Sequence, residues 1–279
     1  MFRRIAPFGI AVLAGLLATA AGASDIDIIN APEIDISQSA VAQGWYIRGD
    51  LGYSGWTKGG KPDYTVYAPG GVIASQESFD SARFSDDLSY GVGVGYQFND
   101  MIRADLTTDF FSGDLRGDSN IAAPCSGADP AGTSCGFNHD ADYSAINVMA
   151  NGYVDIGTFA GFTPYIGAGV GATRVSWGDL NSQPFCVAGG AACSGTTYAG
   201  ESLAGYDSWR FTYALMAGAT VDITERLKLD VGYRYSDTAG GRMFQYGATE
   251  QGYGAAGAKG RDEGFKKHEI RVGFRIPTW

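Results

Sequence analysis

Histidine, cysteine and charged residues are scarce in this chain of 279 residues. It has 2 histidines and 4 cysteines, and Asp, Glu, Lys and Arg together make up 18%. A hydrolase needs a base that a second side chain supports, and neither His139 nor His268 has a suitable partner nearby in the sequence. The cysteines lack the further Cys and His residues of a zinc site. The sequence therefore predicts no enzyme: no catalytic residue, no metal and no cofactor.

Basic residues are outnumbered, 20 against 30 acidic ones, which argues against a nucleic-acid partner. Long apolar runs are absent after the N-terminal region, so no spanning helix is expected there. The N-terminal region has Arg3 and Arg4, an apolar run over about 10–18, and small residues up to Ala23, as in a secretory signal peptide. We therefore expect a signal peptide over 1–23, a periplasmic lead-in over 24–43 and a membrane domain over 44–279.

Glycine and aromatic residues are abundant, with 42 glycines and 13% aromatic residues. Many of them lie in segments where every second residue is apolar. Over 88–98 and again over 102–110 the even positions are mostly apolar, whereas the odd ones are polar, charged or glycine. Side chains alternate between the two faces of a strand, so this pattern predicts a hairpin with one apolar face. Paired residues lie on the same face and the apolar positions are even-numbered in both strands, so the loop must contain an odd number of residues. The three residues 99–101 fit, with Asn99 or Asp100 in the left-handed conformation.

The alternation predicts eight strands, at about 44–54, 88–98, 102–110, 142–155, 163–175, 209–223, 227–236 and 265–276. Three short connections, including a three-residue turn at 224–226, alternate with four long ones. In outer-membrane barrels the short turns lie in the periplasm and the longer loops outside. The sequence thus predicts an all-β fold, an eight-stranded antiparallel up-and-down transmembrane β-barrel in the outer membrane of a Gram-negative bacterium.

Charged residues lie on the strand face opposite the apolar one, with both signs in equal number. We expect this face to line the barrel and its charges to pair, because an unpaired buried charge is costly. An eight-stranded barrel has little room beyond its own side chains, which favours a filled interior over an open channel. The predicted interior charges are Arg48, Asp50, Asp87, Arg103, Asp105, Asp109, Asp155, Arg210, Asp222, Lys228, Asp230, Arg234, Lys267, Glu269, Arg271 and Arg275.

Aromatic residues are concentrated near both ends of the predicted strands, which is typical of two interfacial girdles. At the periplasmic end these are Trp45, Tyr96, Phe98, Phe162 and Phe274. At the other end they are Tyr53, Trp56, Phe110, Trp209, Tyr233 and Tyr235.

The four cysteines lie in two of the long loops. Export permits disulfides, and the spacing favours the local bridges Cys125–Cys135 and Cys186–Cys193 over the two other connectivities.

Three segments carry a resemblance to a known family: GWYIRGDLGY at 44–53, TPYIGAGVG at 163–171 and HEIRVGF at 268–274. They resemble the small outer-membrane barrel proteins of alphaproteobacteria, relatives of the opacity-type (OmpA-type) barrels. Such proteins typically end in Tyr-x-Phe, a signal for the barrel-insertion machinery. The corresponding signal here is Phe274, Ile276 and Trp279, and the Ile-Pro-Thr-Trp end departs from that pattern.

The resemblance implies a role in envelope integrity and surface interaction, with pore activity claimed for some members. We expect a structural outer-membrane barrel that presents four long surface loops for host or environmental interaction. A narrow pore for small solutes or ions is the alternative, and a lipid-modifying outer-membrane enzyme is a second one. The expected partners are outer-membrane lipid and lipopolysaccharide, the barrel-insertion machinery during assembly, and an extracellular partner of the loops.

Overall fold

A computed structural model describes residues 43–85 and 87–278, except for the side chain of Trp56. The predicted signal peptide, the lead-in other than Gln43, and Trp279 lie outside the described residues. Within the described ranges, no helix is long and apolar enough to cross a membrane. The elements are β1 (Gly44–Gly59), β2 (Asp63–Ala68), β3 (Val72–Ser78), β4 (Ser81–Phe84), β5 (Asp87–Gln97), β6 (Ile102–Ile121), β7 (Ser134–Asp155), β8 (Phe162–Trp177), β9 (Leu180–Val187), β10 (Glu201–Leu203), β11 (Asp207–Thr224), β12 (Leu227–Arg242), α1 (Ala248–Gly252) and β13 (Gly260–Pro277).

Eight strands form a closed ring in the order β1, β5, β6, β7, β8, β11, β12, β13 and back to β1. Every pairing in the ring is antiparallel, and ring neighbours follow one another along the chain. The predicted eight-stranded up-and-down barrel is therefore confirmed.

The two faces of the ring differ in polarity, as β5 illustrates. Leu88, Tyr90 and Val92 point outward and are 71%, 61% and 62% exposed, whereas Asp87 and Ser89 point inward and are buried. An apolar band around a closed ring is typical of a wall that faces lipid, where the ring pairs the backbone groups of the strands with one another. The apolar face is therefore the membrane face, and the charged face lines the interior.

The turns keep the expected parity but differ from the prediction in detail. Phe98 N–H donates to the Ile102 carbonyl at 2.9 Å, which leaves a three-residue turn over 99–101. Its conformation is held by Asn99 Oδ1, which accepts from the backbone N–H groups of Met101 and Ile102 at 2.9 and 2.8 Å. The prediction that Asn99 or Asp100 adopts the left-handed conformation was wrong. Among the described non-glycine residues only Ala160 has a positive φ.

The β11–β12 turn was also predicted incorrectly. Only residues 225–226 lie between the two strands, not three residues. A register shift between Asp222 and Thr224 accommodates the additional residue as a bulge and restores the parity of the two faces.

The long connections contain β structure that the sequence did not predict. β6 and β7 pair without interruption up to Ile121 and Cys135, so most of the expected loop over 112–141 is a ribbon above the membrane. β9 pairs with the outer part of β7, β10 pairs with β9, and β4 pairs with the outer part of β6. The hairpin of β2 and β3 pairs with the start of β13. We call these outer strand segments and additional strands the extracellular sheet.

Candidate functional site

Ion pairs fill the periplasmic half of the barrel. Arg48 contacts Asp50 at 2.6 Å on its own strand and Asp105 of β6 at 2.5 Å. β5 lies between β1 and β6, so the second contact is made inside the barrel rather than along one strand pair. Arg275 Nε contacts Asp230 of the neighbouring β12 at 2.7 Å. The Arg48–Asp105 pair therefore joins two strands that are not neighbours, whereas the Arg275–Asp230 pair joins two adjacent ones.

Tyrosine rings complete this layer. Arg103 Nε contacts Asp155 at 3.2 Å. The Arg103 guanidinium carbon lies 4.0 and 4.7 Å from the ring centroids of Tyr153 and Tyr165, which is close enough for cation–π attraction. The two tyrosines were not singled out from the sequence, although both lie on the inward face of their strands.

Asp109 is the centre of the middle layer. Its two carboxylate oxygens contact Arg234 and Arg271, each at 2.6 Å, and the Asp109 side chain is fully buried. Arg234 also contacts Glu269 at 2.7 Å, and the Ser89 hydroxyl donates to the same Glu269 carboxylate. These four charged side chains, from three strands, thus form one ion-pair network whose charges sum to zero.

Two further buried pairs lie nearer the extracellular end. Lys267 Nζ contacts Asp87 at 2.7 Å and lies 3.6 Å from the centroid of the Phe111 ring. Arg210 contacts Asp262 at 2.7 Å, with both side chains almost fully buried. The sequence places Asp262 in the long connection between the predicted strands at 227–236 and 265–276, but β13 begins at Gly260 and turns this carboxylate inward.

Asp222 and Lys228 are the two predicted interior charges that the structure places elsewhere. They pair with each other at 2.6 Å at the periplasmic rim, where their side chains are 42% and 25% exposed. The residues lie on the inward face by parity, but the strands end here and water reaches the rim. The other predicted charges lie within the barrel.

A buried apolar cluster, which the sequence did not predict, lies at the extracellular end of the barrel and continues into the extracellular sheet. Tyr143 stacks on Phe265 with ring centroids 5.5 Å apart, and Phe84 contacts the Phe265 ring at 5.0 Å. The buried members of the cluster are Phe79, Phe111, Leu115, Ala141, Tyr143, Ala145, Val175, Trp177, Leu180, Leu203, Met243, Phe244 and Phe265. We call this cluster the apolar plug. Charged layers and the apolar plug together fill the barrel.

A small cavity remains in the middle of the barrel. It has a volume of about 20 Å³ and is lined by residues that include Arg48, Asp50, Tyr153, Asp230 and Arg271. That volume holds about one water molecule. The space between these side chains is therefore too small at this cavity for a solute larger than water.

Two disulfides form between the predicted cysteine pairs in the extracellular region. Cys125 bonds to Cys135 and Cys186 bonds to Cys193. Each bond ties a coil segment to a paired strand, β7 in the first case and β9 in the second.

The coil segments are also joined to each other. The carboxylate of Asp129 accepts hydrogen bonds from Ser194 Oγ at 2.7 Å and from the Tyr198 hydroxyl at 2.5 Å. These bonds hold the pKa of Asp129 below its usual value.

His139 lies inside the extracellular sheet, between β6 and β9. Its Nε2 and Nδ1 atoms are 2.9 and 2.8 Å from the hydroxyls of Ser119 and Ser182. The ring stacks on Phe79, with centroids 4.3 Å apart. Burial lowers the pKa of His139 to about 4, so the ring is neutral at physiological pH.

The remaining candidates lie outside the interior. His268 points to the lipid side and is hydrogen-bonded to the Tyr233 hydroxyl. Within the described ranges, no group of three or more His, Cys, Asp or Glu residues is arranged to hold a metal ion. Phe274 and Ile276 of the predicted insertion signal face outward, 50% and 43% exposed, near the periplasmic end of β13. Trp279, its third residue, lies outside the described residues.

Relatives of known sequence include an uncharacterized protein of Brucella abortus strain 2308. It is 36% identical over 279 residues, with 95% of each chain covered. A Rickettsia typhi protein, named as a candidate adhesin, is 24% identical over 83% of this chain and 87% of its own. Outer membrane protein PagN of Salmonella typhimurium is 29% identical over 52% of this chain and 55% of its own.

Solved structures with similarity include OprG from Pseudomonas aeruginosa, with a TM-score of 0.44, 16% identity, and coverage of 84% of this chain and 95% of that one. Neisserial surface protein A gives a TM-score of 0.41, 14% identity, and coverage of 84% and 97%. The family model described as the outer membrane protein beta-barrel domain matches residues 10–275. With the barrel described above, this match shows that the chain belongs to the outer membrane protein beta-barrel domain family and lies in the outer membrane of a Gram-negative bacterium.

Proposed function

We propose that the barrel holds a rigid extracellular sheet that binds an external protein, and that its packed interior contributes to envelope integrity. The observation that carries this proposal is the ordered structure of the long connections. They continue the barrel strands, share the apolar plug and are tied by two disulfides. A barrel interior filled by its own side chains favours the outer surface as the functional part.

The hairpin of β2 and β3 is the contact site that we assign to this partner. β3 pairs with β2 on one edge and has no strand on its other edge within the described residues. Val72 and Ile73 at the start of β3 are 61% and 55% exposed. A free edge with apolar side chains suits an extended segment of another protein, which would add as a further strand. The relationship to the candidate adhesin of Rickettsia typhi supports such a role.

Adhesion of cells that display the protein tests this function. The full chain is produced in a non-adherent Gram-negative strain, and attachment to cultured epithelial cells is counted. We expect attachment above that of cells without the protein, and about fivefold less with the double substitution Val72→Ser and Ile73→Ser, which removes two anchoring side chains.

The matched control is Phe185→Ser, which changes an apolar side chain of β9 that is 40% exposed. Attachment by this variant should equal that of the wild type. Attachment no greater than that of cells without the protein would reject the adhesive function. Equal losses in both variants would reject the β3 edge as the contact.

A further inference from the structure

Two lysines of adjacent strands lie side by side on the outer wall of the barrel. Lys58 of β1 is directly opposite Lys266 of β13, and both side chains are exposed. The next residue in the same row is Asp237 of β12, opposite Lys266. A shift in register at residues 54–56 of β1 keeps Lys58 on the same outward face as Lys266.

The height of this row places it at the surface of the outer leaflet. On β13 the outward positions run from Ile270, which is 57% exposed, through His268 to Lys266. On β12 they run from Val231 through Tyr233 and Tyr235 to Asp237. Apolar residues mark the hydrocarbon region and tyrosines mark its boundary. The lysines therefore stand one outward position above the aromatic girdle, at the level of the lipid headgroups.

Neither lysine forms an ion pair within the part of the chain that the structure describes. Within the described residues, no carboxylate lies within ion-pair distance of Lys58 or Lys266, whereas Arg174 and Asp207 on the same rim pair at 2.6 Å. Asp237 accepts instead from the hydroxyls of Tyr213 and Tyr235, each at 3.3 Å.

Like charges directly opposite each other in an antiparallel pair are destabilising. An anion that contacts both ammonium groups would relieve this repulsion.

We propose that Lys58 and Lys266 bind the phosphate of an outer-leaflet glycolipid of the lipid A class. Such a molecule places its phosphate at the lysines while its acyl chains lie against the apolar wall below, beside Leu51, Ile270 and Val231. A free phosphate ion has only the first of these contacts. The site lies on the lipid-facing wall and requires no contact with an external protein, so it is independent of the adhesive function.

Native mass spectrometry of the full-length protein in detergent micelles tests the site. The probes are bisphosphorylated lipid A, the same lipid with both phosphates removed, and inorganic phosphate as a competitor. We expect the double substitution Lys58→Gln and Lys266→Gln to require about tenfold more bisphosphorylated lipid A for equal occupancy. The dephosphorylated lipid should bind wild type and variant equally weakly, and an equal concentration of inorganic phosphate should not displace the lipid.

Lys61→Gln is the matched control, because Lys61 is an exposed lysine of the same connection that lies outside the row. It should bind as the wild type does. Altered gel migration of unheated protein would reveal a variant that fails to fold, and the single substitutions Lys58→Gln and Lys266→Gln would then replace it, each with a loss of severalfold. Equal lipid A occupancy in wild type and folded lysine variants would overturn the proposal. Full displacement by inorganic phosphate would do so as well.

Discussion

Cys135 of β7 and Cys186 of β9 lie directly opposite each other in the strand register, yet they do not form a disulfide with each other. Each forms a disulfide with a residue of its own connection, Cys125 or Cys193. The two neighbouring strands are therefore joined by backbone hydrogen bonds, and the disulfides fasten the coil on either side to them.

Replacing all four cysteines by serine should loosen the coil segments and leave the barrel intact. The closed loops are short, with sequence separations of 10 and 7 residues, so each bond contributes about 2 kcal/mol to local stability. Limited proteolysis should cut 122–133 and 188–200 roughly 30-fold faster in the variant, with the barrel strands protected in both proteins. Non-reducing peptide mapping of the wild type should recover the two local pairs, and a Cys135–Cys186 peptide would contradict the assignment.

Asp109→Asn should destabilise the barrel strongly. The substitution removes the charge that neutralises Arg234 and Arg271 in a buried network, for which a loss of about 3 to 5 kcal/mol is typical. Urea unfolding in lipid bilayers measures the change.

Asp222→Asn is the matched control for this measurement. It makes the same chemical change in an exposed pair with Lys228 and should cost less than about 1 kcal/mol. Similar losses in the two variants would show that Asp109 is not the centre of a buried network.

The membrane part of the fold can be predicted from the sequence because lipid imposes one rule on every strand. Outward residues such as Leu88 and Val92 must be apolar, and the interior then receives residues such as Asp87. The partner of each interior charge cannot be predicted in this way. Arg48 meets Asp105 across an intervening strand, which depends on how the strands are staggered in the closed ring.

The apolar plug depends on a change in the polarity pattern of β6 where this strand leaves the membrane. Below this level Phe110 faces lipid and Asp109 faces inward, but above it Leu115 is buried and Arg116 is exposed. The odd-numbered residues of β6 face inward on both sides of this level. The surroundings of the outward face change from lipid to water. This exchange of apolar and polar faces is the signal that would have identified the extracellular sheet over 112–121 and 134–141.

The filled interior predicts that the wild-type protein forms no ion channel. Charged pairs, tyrosine rings and the apolar plug occupy successive levels, and the mid-barrel cavity of about 20 Å³ holds only about one water molecule. Planar bilayer recordings of the refolded protein should show no discrete conductance steps. An open-lumen porin added to the same bilayer confirms that channels are detected. Reproducible steps from the protein alone would favour the narrow-pore alternative.

Acid should weaken the extracellular sheet through His139. Burial lowers the pKa of His139 to about 4, whereas an unfolded histidine has a pKa of about 6.5. Between these values the unfolded segment binds more protons than the folded one, so stability is full above about pH 6.5 and falls as the pH decreases toward about 4. At pH 5 the two pKa values correspond to an equilibrium constant for local folding that is roughly 30-fold smaller than at high pH.

Amide hydrogen exchange, corrected for the intrinsic effect of pH, measures this decrease. Protection factors over 134–142 should fall between pH 7 and pH 5 in the wild type, while those of the membrane strands stay constant. His139→Gln offers hydrogen-bonding groups to Ser119 and Ser182 but does not titrate, so its protection factors should be equal at pH 7 and pH 5. A decline of equal size in this variant would assign the acid sensitivity to another group, because the imidazole is the only titrating group that the substitution removes.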